Sequence, residues 1–394
     1  MSASLLAARL APRIVAEDGA FRTRMLALAA GMTNVIALGR GDPDFHTPSH
    51  IVAAAKAAID ANHHHYTGPT GLPALREAIA ADLAAAHGLD YGAHEIVVTA
   101  GAQEGIMLTM LGLCAAGDEV LITSPRFTTY DTAVRLCGGV PVPVPTFEKD
   151  DFALDVAEIE ARITPRTRMF VLTTPNNPTG AVTPPAVVRA IAELAQRRDL
   201  LIVADEIYAR MIYPPNEHLS IATLPGMRER TVTLNGFSKT YAMTGWRVGY
   251  LAAPVDFVEK VTEPRHTLSI NTCTISQYAA LAALTGPQEP VQAMLNDYAE
   301  RRAWLMPALT EAGFTYGHPG GAFYIYTNIS STGLPAPEFC ERLLRETGVM
   351  VFPGTMFGDT NRHYVRISYL QPLPLIREAM SRIAAFAEKA RATA

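Results

Sequence analysis

The chain has 394 residues, of which 49% are hydrophobic and 18% are charged, and this composition excludes wholesale disorder. A length beyond about 250–300 residues predicts two domains. The net charge of −5 argues against a nucleic-acid partner, and no uncharged apolar run reaches the roughly 20 residues of a membrane span. Four scattered cysteines exclude a disulfide framework and a metal cluster, and they fit a cytoplasmic protein.

The first 47 residues are expected to form an N-terminal arm and part of a smaller domain. Their apolar stretch 5–10 contains Arg9 and is followed by Arg13, so it does not resemble a secretory signal and we expect a short arm or helix.

From residue 48 to residue 285, short apolar runs alternate with helical patterns. This alternation is typical of an α/β fold, in which helices cover both faces of a mostly parallel sheet. We therefore predict a large domain over 48–285. Its predicted strands are 96–99, 120–123, 169–173, 200–203, 231–234 and 248–251, and its helices include 103–114 and 184–197.

After about residue 285 the pattern changes to long helices and isolated short strands. The helices are predicted at 291–312 and 373–392, and the strands near 323–326 and 364–368. These elements predict a small α+β domain over 286–394.

Four polar motifs each follow one of the apolar runs directly. They are Gly101-Ala102-Gln103, the sequence TPNNPTG at 174–180, the sequence DEIY at 205–208, and the sequence GFSK at 236–239. Ligands of open α/β sheets bind beyond the carboxyl ends of the strands. The four motifs therefore indicate one shared site.

Lys239 is the candidate nucleophile of this site. A desolvated lysine has a lowered pKa and can attack carbonyl carbons, whereas an ordinary surface lysine extends its amine into water. Ser238 is adjacent and Arg247 follows eight residues later. A hydroxyl and a guanidinium beside a lysine indicate a phosphate site next to a reactive amine.

Asp205 ends an apolar run, where a carboxylate is costly unless it is paired. It is either a helix N-cap or a partner that keeps a ring nitrogen protonated, as a pyridinium electron sink requires. Tyr208 lies one helical turn later, near the same ligand. Asn177 precedes a proline, which is typical of a turn, but its amide can also donate to a phenolate oxygen.

Gly101, Ala102 and Gln103 join a strand to a helix, and the free amides at such a helix start can bind phosphate. An ordinary turn is the alternative. Phe127 follows another strand end, where it is either a core residue or a platform on which a ring stacks.

Taken together, these motifs resemble those of the class I/II aminotransferases, a branch of the fold-type I pyridoxal-phosphate enzymes. The resemblance runs from about residue 36 to the C-terminus. It rests on the ordered set YTGPTGLPALREAI, GAQEGI, TPNNPTG, DEIY, SKTYAMTGWRVGY and YVRISY. It implies a mostly parallel sheet of seven strands, an aminotransferase activity with ping-pong kinetics, and pyridoxal 5′-phosphate as the cofactor.

The resemblance also implies a role for each motif residue. Lys239 bonds covalently to the cofactor and carries the reacting proton, while Asp205 pairs with the pyridine nitrogen. Arg366 binds the α-carboxylate of the substrate, the Gly41 backbone closes over that carboxylate, and Asn177 also contributes to substrate binding. Tyr66 reaches the phosphate of the neighbouring subunit, which makes the active unit a homodimer. The other implied cofactor ligands are Gly101, Ala102, Gln103, Phe127, Asn177, Tyr208, Ser238 and Arg247.

Two positions depart from the family pattern. Gly236 stands where many relatives have a serine, which removes one phosphate hydrogen bond. Gln103 stands where an aspartate-specific branch has a lysine, and a neutral amide cannot pair with a distal carboxylate. Arg40 and Arg126 lie beside site residues. Each either supplies the positive charge that Gln103 lacks or is an ordinary arginine that faces solvent or packs against its neighbours.

The motif set leaves the outcome of the reaction open. A β-eliminating C–S lyase or a cyclising enzyme of the same fold uses the same lysine, aspartate and arginine. A non-enzymatic regulator is the third alternative, although 35 N-terminal residues are too few for an added DNA-binding module. The motifs do not name the amino donor, and Tyr324 and Phe357 either line the substrate pocket or pack in the core.

Overall fold

The fold is that of a computed structural model, which describes residues 19–358 and 362–393 together with residues 6, 9–11 and 14. Most of the predicted N-terminal arm, including most of the stretch 5–10, lies outside the described residues. No helix of the described ranges combines the length and the apolar character that crossing a bilayer requires.

The described residues form three sheets. The strands are β1 (Ile36–Ala37), β2 (Ile96–Thr99), β3 (Glu119–Ser124), β4 (Val140–Pro145), β5 (Thr167–Thr173), β6 (Leu201–Asp205), β7 (Thr231–Gly236), β8 (Gly249–Ala252), β9 (Thr315–Tyr316), β10 (Tyr324–Asn328), β11 (Val349–Met350), β12 (Phe352–Pro353) and β13 (Tyr364–Ser368).

The helices flank these sheets. They are α1 (Gly19–Ala30), α2 (Ser49–Asp60), α3 (Pro73–His87), α4 (Ala102–Leu113), α5 (Thr129–Leu136), α6 (Val156–Glu160), α7 (Pro185–Arg197), α8 (Val255–Ser269), α9 (Thr274–Thr285), α10 (Glu289–Glu311), α11 (Ala336–Thr347) and α12 (Leu373–Thr393).

The largest sheet has seven strands in the order β2-β8-β7-β6-β5-β3-β4. All of its strands run in one direction except β8, which is antiparallel to both of its neighbours. This arrangement confirms the predicted α/β class with a mostly parallel sheet. The carboxyl ends of β2, β7, β6, β5 and β3 consequently meet at one edge.

Buried residues of the central strands alternate between the two faces of this sheet. Val171 of β5 shares a buried cluster with Ile106 of α4. Its neighbours Phe170 and Leu172 belong to another cluster, which contains Ile191 of α7. The near-continuous apolar sequence of the strand reflects burial on both sides, as in other covered parallel sheets.

One strand of the sheet, β4, is missing from the predicted set. Its sequence alternates valine and proline, and proline cannot donate a ladder hydrogen bond. The strand lies at the edge of the sheet, beside β3, where one side of its backbone needs no partner.

The remaining strands join the two ends of the chain. Strands β12, β13, β10 and β9 form an antiparallel sheet, and β1 pairs in parallel with β11. The Ser368 amide also donates to the Leu38 carbonyl at 2.6 Å. The segment before residue 48 thus pairs with strands near the C-terminus, while the domain limits 1–47, 48–285 and 286–394 stay a prediction.

Candidate active site

A cavity of about 510 Å³ opens at the carboxyl ends of the central strands. This volume suits a cofactor together with a small substrate. Gly101 lies directly behind its wall, whereas Tyr66 does not line it and is 77% exposed in the single chain. The predicted site residues that line the cavity are Gly41, Ala102, Gln103, Phe127, Asn177, Asp205, Tyr208, Ser238, Lys239, Arg247 and Arg366.

Lys239 follows β7 and extends its amine into this cavity. Nζ donates a hydrogen bond of 2.6 Å to the Gly41 carbonyl. The pKa of Lys239 is lowered to about 8, chiefly by burial; Asp42 opposes this shift, and the charges of Arg366 and Arg247 contribute to it. A substantial fraction of the amine is therefore uncharged, and nucleophilic, near neutral pH.

Asp205, at the end of β6, is buried beneath the cavity. Tyr130 of α5 donates a hydrogen bond of 2.5 Å to its Oδ2, and the Ile207 amide donates one of 3.2 Å to its Oδ1. Burial raises the pKa of Asp205, and these hydrogen bonds oppose that rise. Tyr130 is not among the residues predicted from the sequence, although it lies only three residues after Phe127, in the first turn of α5.

The start of α4 and Arg247 form one end of the cavity. Gly101 precedes the helix with a φ of +77°, and a Cβ there would lie 2.5 Å from an Arg247 guanidinium nitrogen. That guanidinium is held by the carbonyls of Thr244 at 3.0 Å and Ala100 at 3.3 Å. The first amides of a helix have no intrahelical acceptors, so this end can bind an anion.

The structure explains why position 236 is a glycine in this chain. A Cβ at this position would lie 2.9 Å from the Cα of Gly249, its partner on β8. The close approach of the two strands leaves no room for the serine that many relatives are expected to carry.

Arg366, on β13, is the buried cation at the other side of the cavity. It donates hydrogen bonds to Asn177 Oδ1 at 2.9 Å and to the Gly39 carbonyl at 2.6 Å. Its guanidinium lies 4.3 Å from the ring centre of Tyr324 and 4.5 Å from that of Phe357. Among the described residues it has no carboxylate partner, so its charge is available to a bound anion.

Tyr208 and Tyr324 join the two walls of the cavity, since their hydroxyl oxygens are 3.1 Å apart. Tyr324 and Phe357, which the sequence left as either pocket or core residues, both line the cavity. Arg40 lines it as well. Arg126 instead forms a buried, bidentate ion pair with Asp131, so it cannot supply charge to the substrate.

Comparisons with known proteins show the family of this chain. The family described as aminotransferase class I and II matches residues 33–383. The chain belongs to this family. This aminotransferase is 43% identical over 365 residues to aromatic-amino-acid aminotransferase 2 of Thermococcus litoralis, with 91% of this chain and 93% of that protein covered.

Two further relatives place it in the same group. It is 42% identical to the aspartate aminotransferase of Pyrococcus abyssi, with 91% of this chain and 93% of that protein covered. The solved aromatic aminotransferase from Pyrococcus horikoshii OT3 superposes with a TM-score of 0.89 at 40% identity, over 93% of this chain and 99% of that one. The aminotransferase is thus a pyridoxal-phosphate-dependent transaminase that acts on amino acids, as the sequence resemblance implied.

The residues of the cavity fit this cofactor. A buried carboxylate suits a protonated ring nitrogen, an amine of lowered pKa suits its aldehyde, and a helix start beside Arg247 suits its phosphate.

Proposed function

We propose that this aminotransferase uses Lys239 as the catalytic base and acid and Arg366 as the clamp for the α-carboxylate of an amino acid or a 2-oxo acid. The observation that carries the proposal is a buried arginine that has no acidic partner in the described part of the chain and shares its cavity with a lysine whose pKa is lowered to about 8. A buried cation is costly unless an anion joins it, and a substrate carboxylate supplies that anion.

The cofactor is held by residues from several strand ends. Bound pyridoxal phosphate supplies an electron sink for the electron pair left when the substrate Cα–H bond breaks. Asp205 would keep the ring nitrogen protonated, Tyr208 and Asn177 would donate to the ring oxygen, and Phe127 would stack on the ring. Ser238, Arg247 and the start of α4 at Gly101, Ala102 and Gln103 would bind the phosphate.

Lys239 then moves one proton. Its uncharged amine, set free when the substrate amino group takes its place, would remove the proton from the substrate Cα as a base and then give that proton back as an acid. Arg366 fixes one substituent of Cα, which orients the C–H bond, and the Gly41 segment closes over the carboxylate. The amino group would stay with the loaded enzyme when the first oxo acid departs and would then pass to a second oxo acid, so the kinetics are expected to be ping-pong.

We further propose a homodimer in which Tyr66 completes the phosphate site of the partner subunit. Tyr66 is 77% exposed and does not line the candidate active-site cavity of its own chain. A two-fold symmetric dimer places the same residue at both sites, as is common for homo-oligomers.

The first test replaces the lysine. Lys239→Ala is expected to remove both the near-visible absorbance of the loaded protein and its turnover, whereas Lys260→Ala, at an exposed lysine of α8, leaves both unchanged. An active Lys239→Ala protein would refute the assignment. Release of ammonia and pyruvate from an amino acid without an oxo acid would instead indicate a lyase.

The second test concerns the subunit contribution. Lys239→Ala and Tyr66→Ala subunits are co-expressed, so that each hybrid dimer contains one site with both residues intact. The mixture is expected to recover roughly a quarter of wild-type activity, because about half of the dimers are hybrids with one intact site in two. Activity no greater than that of the Tyr66→Ala protein in the mixture would contradict the exchange of Tyr66.

A further inference from the structure

The cavity carries more positive charge than the proposed roles use. Arg247 and Arg366 are assigned to the phosphate and the α-carboxylate, and Lys239 bonds to the cofactor. Only two carboxylates line the cavity among the described residues, and one of them, Asp42, accepts a hydrogen bond of 2.5 Å from Thr244. The lining cations are Arg22, Arg40, Lys239, Arg247 and Arg366, and the lining anions are Asp42 and Asp205.

Arg22 reaches the cavity from helix α1. Met25 of this helix is fully buried in the core and anchors it. Arg22 and Leu26 are four residues apart, so they share one helix face, and both line the cavity. Arg24 belongs to another face, where it forms a 3.4 Å ion pair with Glu341.

The surroundings of Arg22 favour an anionic ligand. Within 19–358 and 362–393 its guanidinium has no hydrogen bond or ion pair. Together with Gln103, Phe127 and Met356 it lines both the cavity and a depression that continues it. Burial lowers the pKa of Arg366, and the charge of Arg22 lowers it further. Two cations that repel each other across one cavity favour a ligand with two negative charges.

We infer that Arg22 binds the distal carboxylate of a dicarboxylic amino acid while Arg366 binds its α-carboxylate. The inference rests on the proposed function, because it takes the α-carboxylate site as given. Gln103 lines the same depression, so its amide can donate a second hydrogen bond, and Arg22 supplies the charge that this neutral side chain lacks. Apolar neighbours such as Leu26 and Met356 also admit uncharged side chains. Arg22 is then the residue that determines how strongly the enzyme prefers a dicarboxylic substrate over an uncharged one.

The experiment compares aspartate with phenylalanine in the loaded enzyme. The amino-transfer half-reaction is followed by the change in cofactor absorbance after the amino acid alone is added, so that no oxo acid contributes. Arg22→Ala is expected to lower kcat/KM for aspartate about tenfold, or about 1.4 kcal/mol, and to change that for phenylalanine less than about threefold. Arg22→Lys restores part of the loss, since it keeps the charge.

Arg24→Ala is the matched control, because it removes the same charge from the same helix outside the cavity. It is expected to leave the ratio of aspartate to phenylalanine unchanged. Binding gives an independent readout: the Kd of succinate rises about tenfold in Arg22→Ala, whereas that of propionate, with a single carboxylate, stays the same.

Several outcomes overturn the inference and leave the proposed function intact. One is an equal loss of kcat/KM for aspartate and for phenylalanine in Arg22→Ala. Another is the same loss of kcat/KM for aspartate in Arg24→Ala. A third is that Arg40→Ala, and not Arg22→Ala, removes the preference for aspartate over phenylalanine. A wild-type enzyme that uses phenylalanine but not aspartate also overturns it. A wild-type enzyme that transaminates no amino acid overturns the proposed function itself.

Discussion

The lowered pKa of Lys239 leads to a quantitative prediction for cofactor capture. The uncharged amine attacks the cofactor aldehyde, so the capture rate follows the uncharged fraction. With a pKa of about 8, half of the lysine is uncharged at pH 8, whereas an unperturbed lysine of pKa 10.5 is only about 0.3% uncharged. The lowered pKa therefore increases the uncharged, reactive fraction of Lys239 roughly 150-fold at pH 8.

The assay mixes cofactor-free protein with pyridoxal phosphate and follows the near-visible absorbance. The sign follows from the depressed pKa: the rate rises about tenfold per pH unit well below pH 8 and levels off above it. A phosphate monoester has a second pKa of about 6, so the charge of the phosphate group is constant above pH 8. Between pH 8.5 and 9.5 we expect an increase of about 1.3-fold, and about ninefold for an unperturbed lysine.

Two substitutions test the cause of the shift. Asp42 raises the pKa of Lys239, so Asp42→Asn is expected to move the midpoint below 8. Arg366 lowers that pKa, so Arg366→Met is expected to move the midpoint above 8. A wild-type midpoint near 10, or shifts of both variants in the same direction, would refute the electrostatic reasoning.

Three other changes probe single contacts of the site. Tyr130→Phe removes the buried donor to Asp205, a charge-assisted hydrogen bond that contributes about 1.5–3 kcal/mol. This variant is expected to lower kcat at least tenfold and to raise the pKa of Asp205, and the pH profile of kcat measures both effects. Gly101→Ala, at a φ of +77°, displaces Arg247 and weakens cofactor binding about tenfold in a spectral titration. Arg366→Ala lowers kcat/KM for amino acids roughly 100-fold with near-visible absorbance retained; an unchanged value places the clamp elsewhere.

The cofactor side of the cavity was predictable because its signals are local. Asp205 and Lys239 each follow an apolar strand within a few residues, and the carboxyl ends of parallel strands meet at one edge. The comparisons confirm the activity and the cofactor that these motifs implied, whereas the individual residue roles stay proposals.

The substrate side was less predictable because its contacts join distant parts of the chain. Arg366 bonds to Asn177 and Gly39 across 189 and 327 positions, and no local pattern encodes such pairs. Tyr130 resembles an ordinary buried helix residue until its hydroxyl is seen on Asp205. Arg22 gave no signal, since an exposed arginine on a short helix is usually a solvated side chain.

The long separation between Arg366 and its partners has a consequence for synthesis. All of the proposed cofactor ligands have been translated once residue 247 is made, and Arg366 follows 119 residues later. At roughly 5–20 residues per second, that interval is about 6–24 s. During it, the nascent chain contains Lys239 but lacks the arginine that is proposed to align a substrate. The chain thus contains every proposed cofactor ligand before it contains the proposed clamp for the substrate.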